Sequence, residues 1–180
     1  MPTENSLFVK RIMQQYNKAT RERDEFIKYS ISDEEPNVWH ILISGFSGNE
    51  NEFEGGEYLV KMIAPKPGKN RQGFPYEPPE FYFMTKNGVY DINTKVCISI
   101  GEFHADQYRA TLGMAGFAKE LVSGMIGWKE LGSGISILKT TAKDKKKLAE
   151  ASVGMNLENH SDLIKKINDN YEIYSKNWKN

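Results

Sequence analysis

The hydrophobic positions in the first half of the chain follow a helical period and then a strand period. Residues 6–24 predict an amphipathic helix whose apolar face carries Phe8, Ile12, Tyr16 and Ala19, with Ser6 as a candidate N-cap. Four apolar segments of strand length follow, bounded by turn residues, at positions 26–32, 38–45, 58–63 and 80–85. Because short connections join successive strands, we expect an antiparallel meander.

The second half of the chain changes to a long irregular stretch and then to helices. The irregular stretch runs from Lys86 to about Arg109 and has no clear period, which is typical of a functional loop. Apolar residues at helical spacing predict a helix over 112–126, and two further helices are expected over 141–156 and 162–178, the last with Ser161 as a candidate cap. The order helix, four strands, loop, helices predicts the α+β class.

Composition narrows the class of protein. The chain has 180 residues, and its 24 Lys and Arg balance its 24 Asp and Glu. It therefore lacks the basic excess typical of a nucleic-acid binder. No apolar window approaches the length that spans a bilayer, and no secretory signal follows the first residues. We therefore expect a cytoplasmic or nuclear protein with no membrane anchor, and no cofactor or metal site is evident.

The single cysteine, Cys97, lies in the irregular stretch "NTKVCISIGEFHADQY". One cysteine cannot form an internal disulfide, which fits a reducing compartment. Taken alone, Cys97 has two interpretations. It is either a small buried apolar residue or a partly exposed nucleophile, and a partner histidine such as His104, His40 or His160 would suit the second.

Three other signals also have structural interpretations. The segment "FPYEPPEF" could be a polyproline ligand, but a rigid loop entering a strand is the interpretation we prefer. The run "KDKKK" at 143–147 could bind anions, but a solvated helix face is the simpler prediction. Asn87 directly precedes Gly88, and this dipeptide is typical of a turn.

The order of these segments resembles the ubiquitin-conjugating (E2) family. The similar stretches are "LFVKRIMQQYNKA", "EGGEYLVKMIAP", "FPYEPPEFYFMT" and the cysteine, and the resemblance covers about residues 5–150. It implies the E2 fold: an N-terminal helix, a four-stranded antiparallel sheet, an active-site loop and C-terminal helices. We expect one domain over 1–180, with a C-terminal helical extension beyond the 5–150 core.

The sequence looks closest to the E2 branch linked to degradation at the endoplasmic reticulum. That branch has Thr-x-Asn-Gly-Arg-Phe where most E2 enzymes have His-Pro-Asn, and the matching stretch here is "TKNGVY", Thr85 to Tyr90. It also has Cys-Leu-Ser-Ile-x-x-Phe-His-Pro-Asp-x-Trp, which matches "CISIGEFHADQY". Three departures from these motifs are notable: Val89 and Tyr90 replace Arg-Phe, Ala105 replaces Pro, and Tyr108 replaces Trp. Members of the branch usually end in a membrane anchor, whereas this chain ends "YSKNWKN".

The resemblance implies a role for each matched residue. Cys97 would carry a ubiquitin thioester received from an E1 activating enzyme. Asn87 would either donate a hydrogen bond to the oxyanion of the transfer step or form a turn, and His104 would shape the site or assist the incoming nucleophile. The acceptor would be an amine or a hydroxyl of a protein substrate.

The resemblance also implies surfaces for E1 and for a RING-type E3 ligase. These surfaces would lie on the first helix and two loops, at Lys10, Arg11, Phe74, Pro75, Tyr76 and Arg109. Two alternatives stay open: an E2 for another ubiquitin-like modifier, and a non-catalytic E2 variant that only binds ubiquitin. The presence of Cys97 argues against the second.

Overall fold

The computed structural model describes residues 4–48, 51–96 and 110–179. Helix α1 spans Glu4–Arg21 and buries Phe8, Ile12 and Ala19 against the sheet. It ends earlier than the predicted residue 24. The carboxylate of Asp24 accepts hydrogen bonds from the backbone N–H groups of Phe26 and Ile27, both at 2.8 Å, and this local turn starts the first strand.

Four strands form one antiparallel sheet in the order of the chain, which confirms the predicted meander. They are β1 (Ile27–Ile31), β2 (Val38–Ile43), β3 (Tyr58–Ile63) and β4 (Glu80–Phe83). Register follows from the alternation of side chains. Trp39 pairs with Ile31 and Met62, and all three contribute to the core face, which packs against α1.

Helix α2 (Gly113–Ile126) completes the core on the same side of the sheet. Its predicted apolar stripe is buried, from Met114 through Phe117, Ala118 and Leu121 to Met125. Its first turn is held by α1, because the Gln15 side chain accepts a hydrogen bond from the Met114 backbone N–H at 3.2 Å.

Helix α3 spans Ala142–Ser175 and joins the two helices predicted over 141–156 and 162–178. The junction is a kink at His160, whose backbone angles, φ −142° and ψ 28°, are not helical. At the other end, Thr141 caps the helix. Its hydroxyl accepts from the Asp144 N–H at 3.1 Å, and the Asp144 carboxylate accepts from the Thr141 N–H at 3.0 Å.

The second half of α3 covers the outer face of the sheet. Ile164 and Ile167 form a small apolar cluster with Leu42 of β2 and Leu59 of β3. Beyond α3, the indole of Trp178 donates to the Thr20 carbonyl at the end of α1 at 2.9 Å. The C-terminal helix is therefore packed along the sheet rather than projecting from it.

His40 of β2 lies near the residues of α3 that cover this face of the sheet. Burial, together with the smaller effects of the charges of Lys61, Lys166 and His160, lowers the pKa of His40 from its usual 6.5 to about 4. The protonated form of His40 is thus disfavoured in the folded state.

Candidate functional site

Of the three predicted catalytic residues, the structure describes Asn87. Cys97 and His104 lie outside the described residues, as does Arg109 among the predicted partner-binding residues. The geometry of the site is therefore taken from the Asn87 loop and from the segment that leads toward position 97.

Asn87 is fully buried, and its carboxamide makes four hydrogen bonds to nearby backbone groups. Its oxygen accepts from the N–H groups of Val89 at 2.8 Å and Tyr90 at 2.7 Å. Its nitrogen donates to the carbonyls of Thr85 at 3.2 Å and Tyr90 at 3.1 Å. An asparagine side chain has two N–H donors and two acceptor lone pairs, so this loop uses the full capacity of Asn87.

The loop is also held from outside by the segment that precedes α3. The Leu138 N–H donates to the Val89 carbonyl at 2.8 Å, and the Thr140 hydroxyl donates to the Gly88 carbonyl at 2.5 Å. Gly88 has φ +79°, a conformation that favours glycine. The Asn-Gly pair therefore forms the turn that its sequence indicates.

A second anchored segment, Asp91 to Val96, leads from the loop toward Cys97. It runs beside β4, where Asn93 donates to the Phe83 carbonyl and Val96 to the Phe81 carbonyl, each at 2.8 Å. Lys95 forms an ion pair with Glu80 at 2.8 Å, and this hydrogen bond lowers the pKa of the Glu80 carboxyl. Val96 is buried. The backbone is thus fixed to the sheet up to the residue before the cysteine.

The predicted partner-binding residues of the first helix and the proline loop lie close together. Lys10 and Arg11 are exposed on α1, and the Arg11 guanidinium donates to the Phe74 carbonyl at 3.5 Å. The side chain of Phe74 is buried in the core, whereas Tyr76 is 61% exposed. Pro75 follows Phe74 through a cis peptide bond.

Sequence reasoning missed Lys145. The run "KDKKK" was predicted to be a solvated face, and this is wrong for Lys145, whose exposed fraction is 0%. The helical period could have indicated it. Lys145, Ala149, Ser152 and Asn156 are spaced by four, three and four residues, and all four are buried on one stripe of α3.

That stripe binds the sheet and the Asn87 loop together. Asn156 donates to the Glu57 carbonyl at 2.9 Å and accepts from the Thr85 hydroxyl at 2.5 Å. The Thr85 hydroxyl in turn accepts from the Leu59 N–H at 2.9 Å. Thr85 begins the turn that Asn87 closes, so α3 contacts the loop at its start as well as at Gly88.

Comparison with known proteins gives the class to which this fold and loop belong. The chain belongs to the ubiquitin-conjugating enzyme (E2) family, as the sequence predicted. It is 32% identical over 120 residues to ubiquitin-conjugating enzyme E2 J2 of Mus musculus, a match that covers 67% of this chain and 42% of that protein. It is 29% identical over 150 residues to ubiquitin-conjugating enzyme E2 6 of Candida glabrata, covering 83% of this chain and 56% of that protein. These relatives support the predicted branch.

A solved structure supports the fold. Human ubiquitin-conjugating enzyme E2 G1 aligns with a TM-score of 0.50 and 22% identity, covering 69% of this chain and 98% of that one. The predicted α+β E2 fold is confirmed. No protein-family model matches the sequence. The chain spans about half the length of the curated relatives it matches.

The described residues include neither a metal-binding cluster nor a helix that could cross a membrane. Across 4–48, 51–96 and 110–179, no group of three His, Cys, Asp or Glu side chains is placed to hold a metal ion. In the same ranges, every helix is too short or too polar to cross a bilayer.

Proposed function

We propose that this protein is an E2 enzyme that accepts ubiquitin from E1 as a thioester on Cys97 and passes it to a substrate amine or hydroxyl. The proposal is carried by membership of the E2 family, together with the position of the sole cysteine directly after the anchored segment that ends at Val96. Transferase chemistry for this chain is supported by its relatives, which are ubiquitin-conjugating enzymes.

The proposed reaction is two acyl transfers. In the first, the Cys97 thiolate attacks the carbonyl carbon of the ubiquitin C-terminal glycine on E1, a new carbon–sulfur bond forms, and the E1 thiolate leaves. In the second, an amine or hydroxyl attacks the same carbon, its proton passes to a base or to water, and the Cys97 thiolate leaves. No external oxidant or metal is needed for either step.

For Asn87 we propose that it supports transfer by fixing the loop. Both of its N–H hydrogens already point at backbone carbonyls, so donation to an oxyanion would require it to release Thr85 or Tyr90. The alternative role, direct oxyanion stabilisation, predicts a large loss of rate without loss of stability. His104 is proposed to shape the site or to assist the incoming nucleophile.

For the partner surfaces, the exposed groups indicate where contact would occur. Lys10 and Arg11 on α1 and the exposed ring of Tyr76 form one proposed surface for E1 and a RING-type E3 ligase. The buried ring of Phe74 would hold the loop that carries Pro75 and Tyr76. Arg109 is proposed as a further contact.

The test is thioester charging with E1, ATP and a panel that contains ubiquitin and other ubiquitin-like modifiers. Wild-type protein should form an adduct with ubiquitin that a thiol reductant removes, and Cys97→Ala should form none. Cys97→Ser should give a reductant-resistant oxyester or no adduct. Equal charging of Cys97→Ala would overturn the assignment, and charging by another modifier alone would show an E2 for that modifier.

The acceptor is tested separately by discharge of the charged protein onto free lysine, serine and threonine at equal concentration. Use of a hydroxyl acceptor is expected from the resemblance to a branch without His-Pro-Asn. Discharge onto lysine alone would reject hydroxyl transfer and leave the thioester intact as a proposal.

A further inference from the structure

Lys145 is a charged side chain in an enclosed position near the start of α3. Its ammonium donates to the Thr140 hydroxyl at 2.8 Å and to the Thr140 carbonyl at 3.0 Å. It also lies 3.5 Å from the centre of the Trp128 ring, within the range of a cation–π contact. Two oxygen acceptors and one aromatic face therefore surround the charge, and we call Thr140 and Lys145 together the clamp.

The clamp sets the direction of one hydroxyl proton. An ammonium group has three donors and no acceptor, so the Thr140 oxygen must accept from Lys145. The single Thr140 proton is then free to point at the Gly88 carbonyl, and the distance between these two oxygens is 2.5 Å. Removing the ammonium would remove the constraint that keeps this donor aimed at Gly88.

The Gly88 carbonyl belongs to the same peptide unit as the Val89 N–H. Asn87 binds that N–H at 2.8 Å, while the clamp binds the carbonyl at the opposite end. A peptide unit is planar and rigid, so fixing its carbonyl also fixes the direction of its N–H. The clamp is thus in a position to orient the backbone group that Asn87 binds.

The cost of burying Lys145 indicates that its charge has a use. Taking an ammonium out of water is unfavourable unless it is well paired, and an apolar side chain of similar length would avoid this cost. Burial lowers the pKa of Lys145, although the carboxylates of Glu52 and Asp144 oppose that change. Its neighbours on the same helix, Lys143, Lys146 and Lys147, are all exposed.

We propose that Lys145 is a positioning residue for ubiquitin transfer, acting through the Thr140 hydroxyl to hold the Gly88–Val89 peptide in the orientation that Asn87 binds. This rests on the proposed E2 function. The inference predicts that loss of the clamp slows the discharge of the thioester and leaves its formation unchanged. Asn87 and its four hydrogen bonds stay in place in a clamp variant, and only the Gly88–Val89 peptide loses a contact, whereas loss of Asn87 itself disrupts the whole loop.

The first experiment measures the loop directly and does not depend on activity. Amide hydrogen exchange is followed by NMR in Thr140→Val, which keeps the shape of the side chain without its hydroxyl, and in Thr140→Ser, which keeps the hydroxyl. Exchange at Val89 and Tyr90 should rise at least about fivefold in the valine variant, the ratio expected for one lost hydrogen bond of ordinary net strength. The serine variant should restore near wild-type exchange.

Lys145→Met and Ser152→Ala form the second comparison. Lys145→Met should raise exchange at the same two amides. Ser152→Ala is the control, since it removes a buried hydroxyl of α3 that accepts from the Glu57 N–H at 2.9 Å and donates to the Ala149 carbonyl at 2.7 Å. It should leave Val89 and Tyr90 unchanged. Equal exchange at these amides in wild type and both clamp variants would overturn the positioning role.

The second experiment is single-turnover discharge of pre-charged protein over a range of lysine concentrations. The clamp variants should lower the maximal rate about fivefold or more, with charging by E1 and the half-saturating lysine concentration unchanged. Ser152→Ala and Thr140→Ser should discharge like wild type. A clamp variant that discharges at the wild-type rate would reject the link to transfer.

The two experiments separate failure of this inference from failure of the E2 proposal. If the wild-type protein forms no thioester, the proposed function and the effect on transfer are both rejected. The exchange measurement would still decide whether the clamp orients the loop.

Discussion

Replacing Asn87 by alanine should lower stability and transfer together, because the side chain organises its own loop. The substitution leaves four backbone groups without their side-chain partner, two N–H donors and two carbonyl acceptors. Each of the N–H groups, on Val89 and Tyr90, lies in a buried part of the loop. Alanine has no polar atom that could replace any of these contacts.

The expected loss of stability comes mainly from the two N–H donors that are left without an acceptor, those of Val89 and Tyr90. A buried donor left unsatisfied costs about 1–3 kcal/mol, and the carbonyls, which have a second lone pair, cost less. Allowing for entry of water, the free energy of unfolding should fall by on the order of 3 kcal/mol. For a protein of this size, each kcal/mol lowers the melting temperature by about 2–4 °C, so a decrease of about 10 °C is expected.

Asn87→Asp provides a matched comparison. One carboxylate oxygen can still accept from Val89 and Tyr90, but the other replaces the nitrogen that now lies 3.2 Å from the Thr85 carbonyl. Two acceptors would then face each other in a buried site, and the protein should be destabilised at least as much as by alanine at neutral pH. Lowering the pH should relieve part of this loss, since a protonated carboxyl can donate.

The assay is urea unfolding of each variant beside single-turnover discharge of the pre-charged protein. Loop organisation predicts that both quantities fall and that charging is impaired with them. A loss of discharge of 100-fold or more with the wild-type unfolding curve would refute this reasoning, and it would assign Asn87 to oxyanion stabilisation instead.

Three further changes test other parts of the fold. Gly88→Ala should lower the free energy of unfolding by about 2 kcal/mol, because φ at this position is +79° and the added Cβ would lie 3.0 Å from atoms of both clamp residues. Urea unfolding measures this loss, and an unchanged urea midpoint would contradict the prediction. Thr85→Val should lower the free energy of unfolding by on the order of 3 kcal/mol in the same assay, because it leaves the Leu59 N–H and the Asn156 side-chain oxygen without their hydrogen-bond partner. A loss below about 0.5 kcal/mol would contradict this hydrogen-bond network. His40 has a pKa of about 4 in the folded protein, against 6.5 in the unfolded chain. The unfolded chain therefore binds more protons between these two pH values, so protonation of His40 has little effect on stability above about pH 6.5 and destabilises the fold increasingly as the pH falls toward 4. Between pH 7 and pH 5, His40→Gln should therefore lose about 2 kcal/mol less stability than wild type, and parallel pH profiles would reject the burial argument.

The sequence predicted the elements well where one face of a helix or strand is apolar. The strand over 58–63 was predicted with the observed bounds, since Tyr58, Val60 and Met62 alternate toward the core. The end of α1 was placed three residues too late, because the turn at Asp24 depends on a side-chain contact that periodicity does not show. The break at His160 was predicted as a gap between two helices, whereas the structure has a kink within α3.

The site was predictable in its motif and not in its contacts. The Asn-Gly dipeptide indicated a turn, and the structure has one. The burial of Lys145 could not be inferred from the charge of its neighbours, since it depends on segments far apart in sequence, Trp128 and Gly88. The roles of Cys97 and His104 remain predictions from the resemblance.

The packing of α3 on the outer face of the sheet has a consequence for binding. That face is already covered by the second half of α3, which acts as an intramolecular ligand. Ile164 and Ile167 pack on Leu42 and Leu59. Lys166 forms an ion pair with Asp33 at 2.6 Å. Because the ligand belongs to the same chain, dilution does not remove it. A separate molecule reaches this face only when the helix has lifted, so its apparent dissociation constant is its intrinsic value divided by the fraction of molecules in which the face is open.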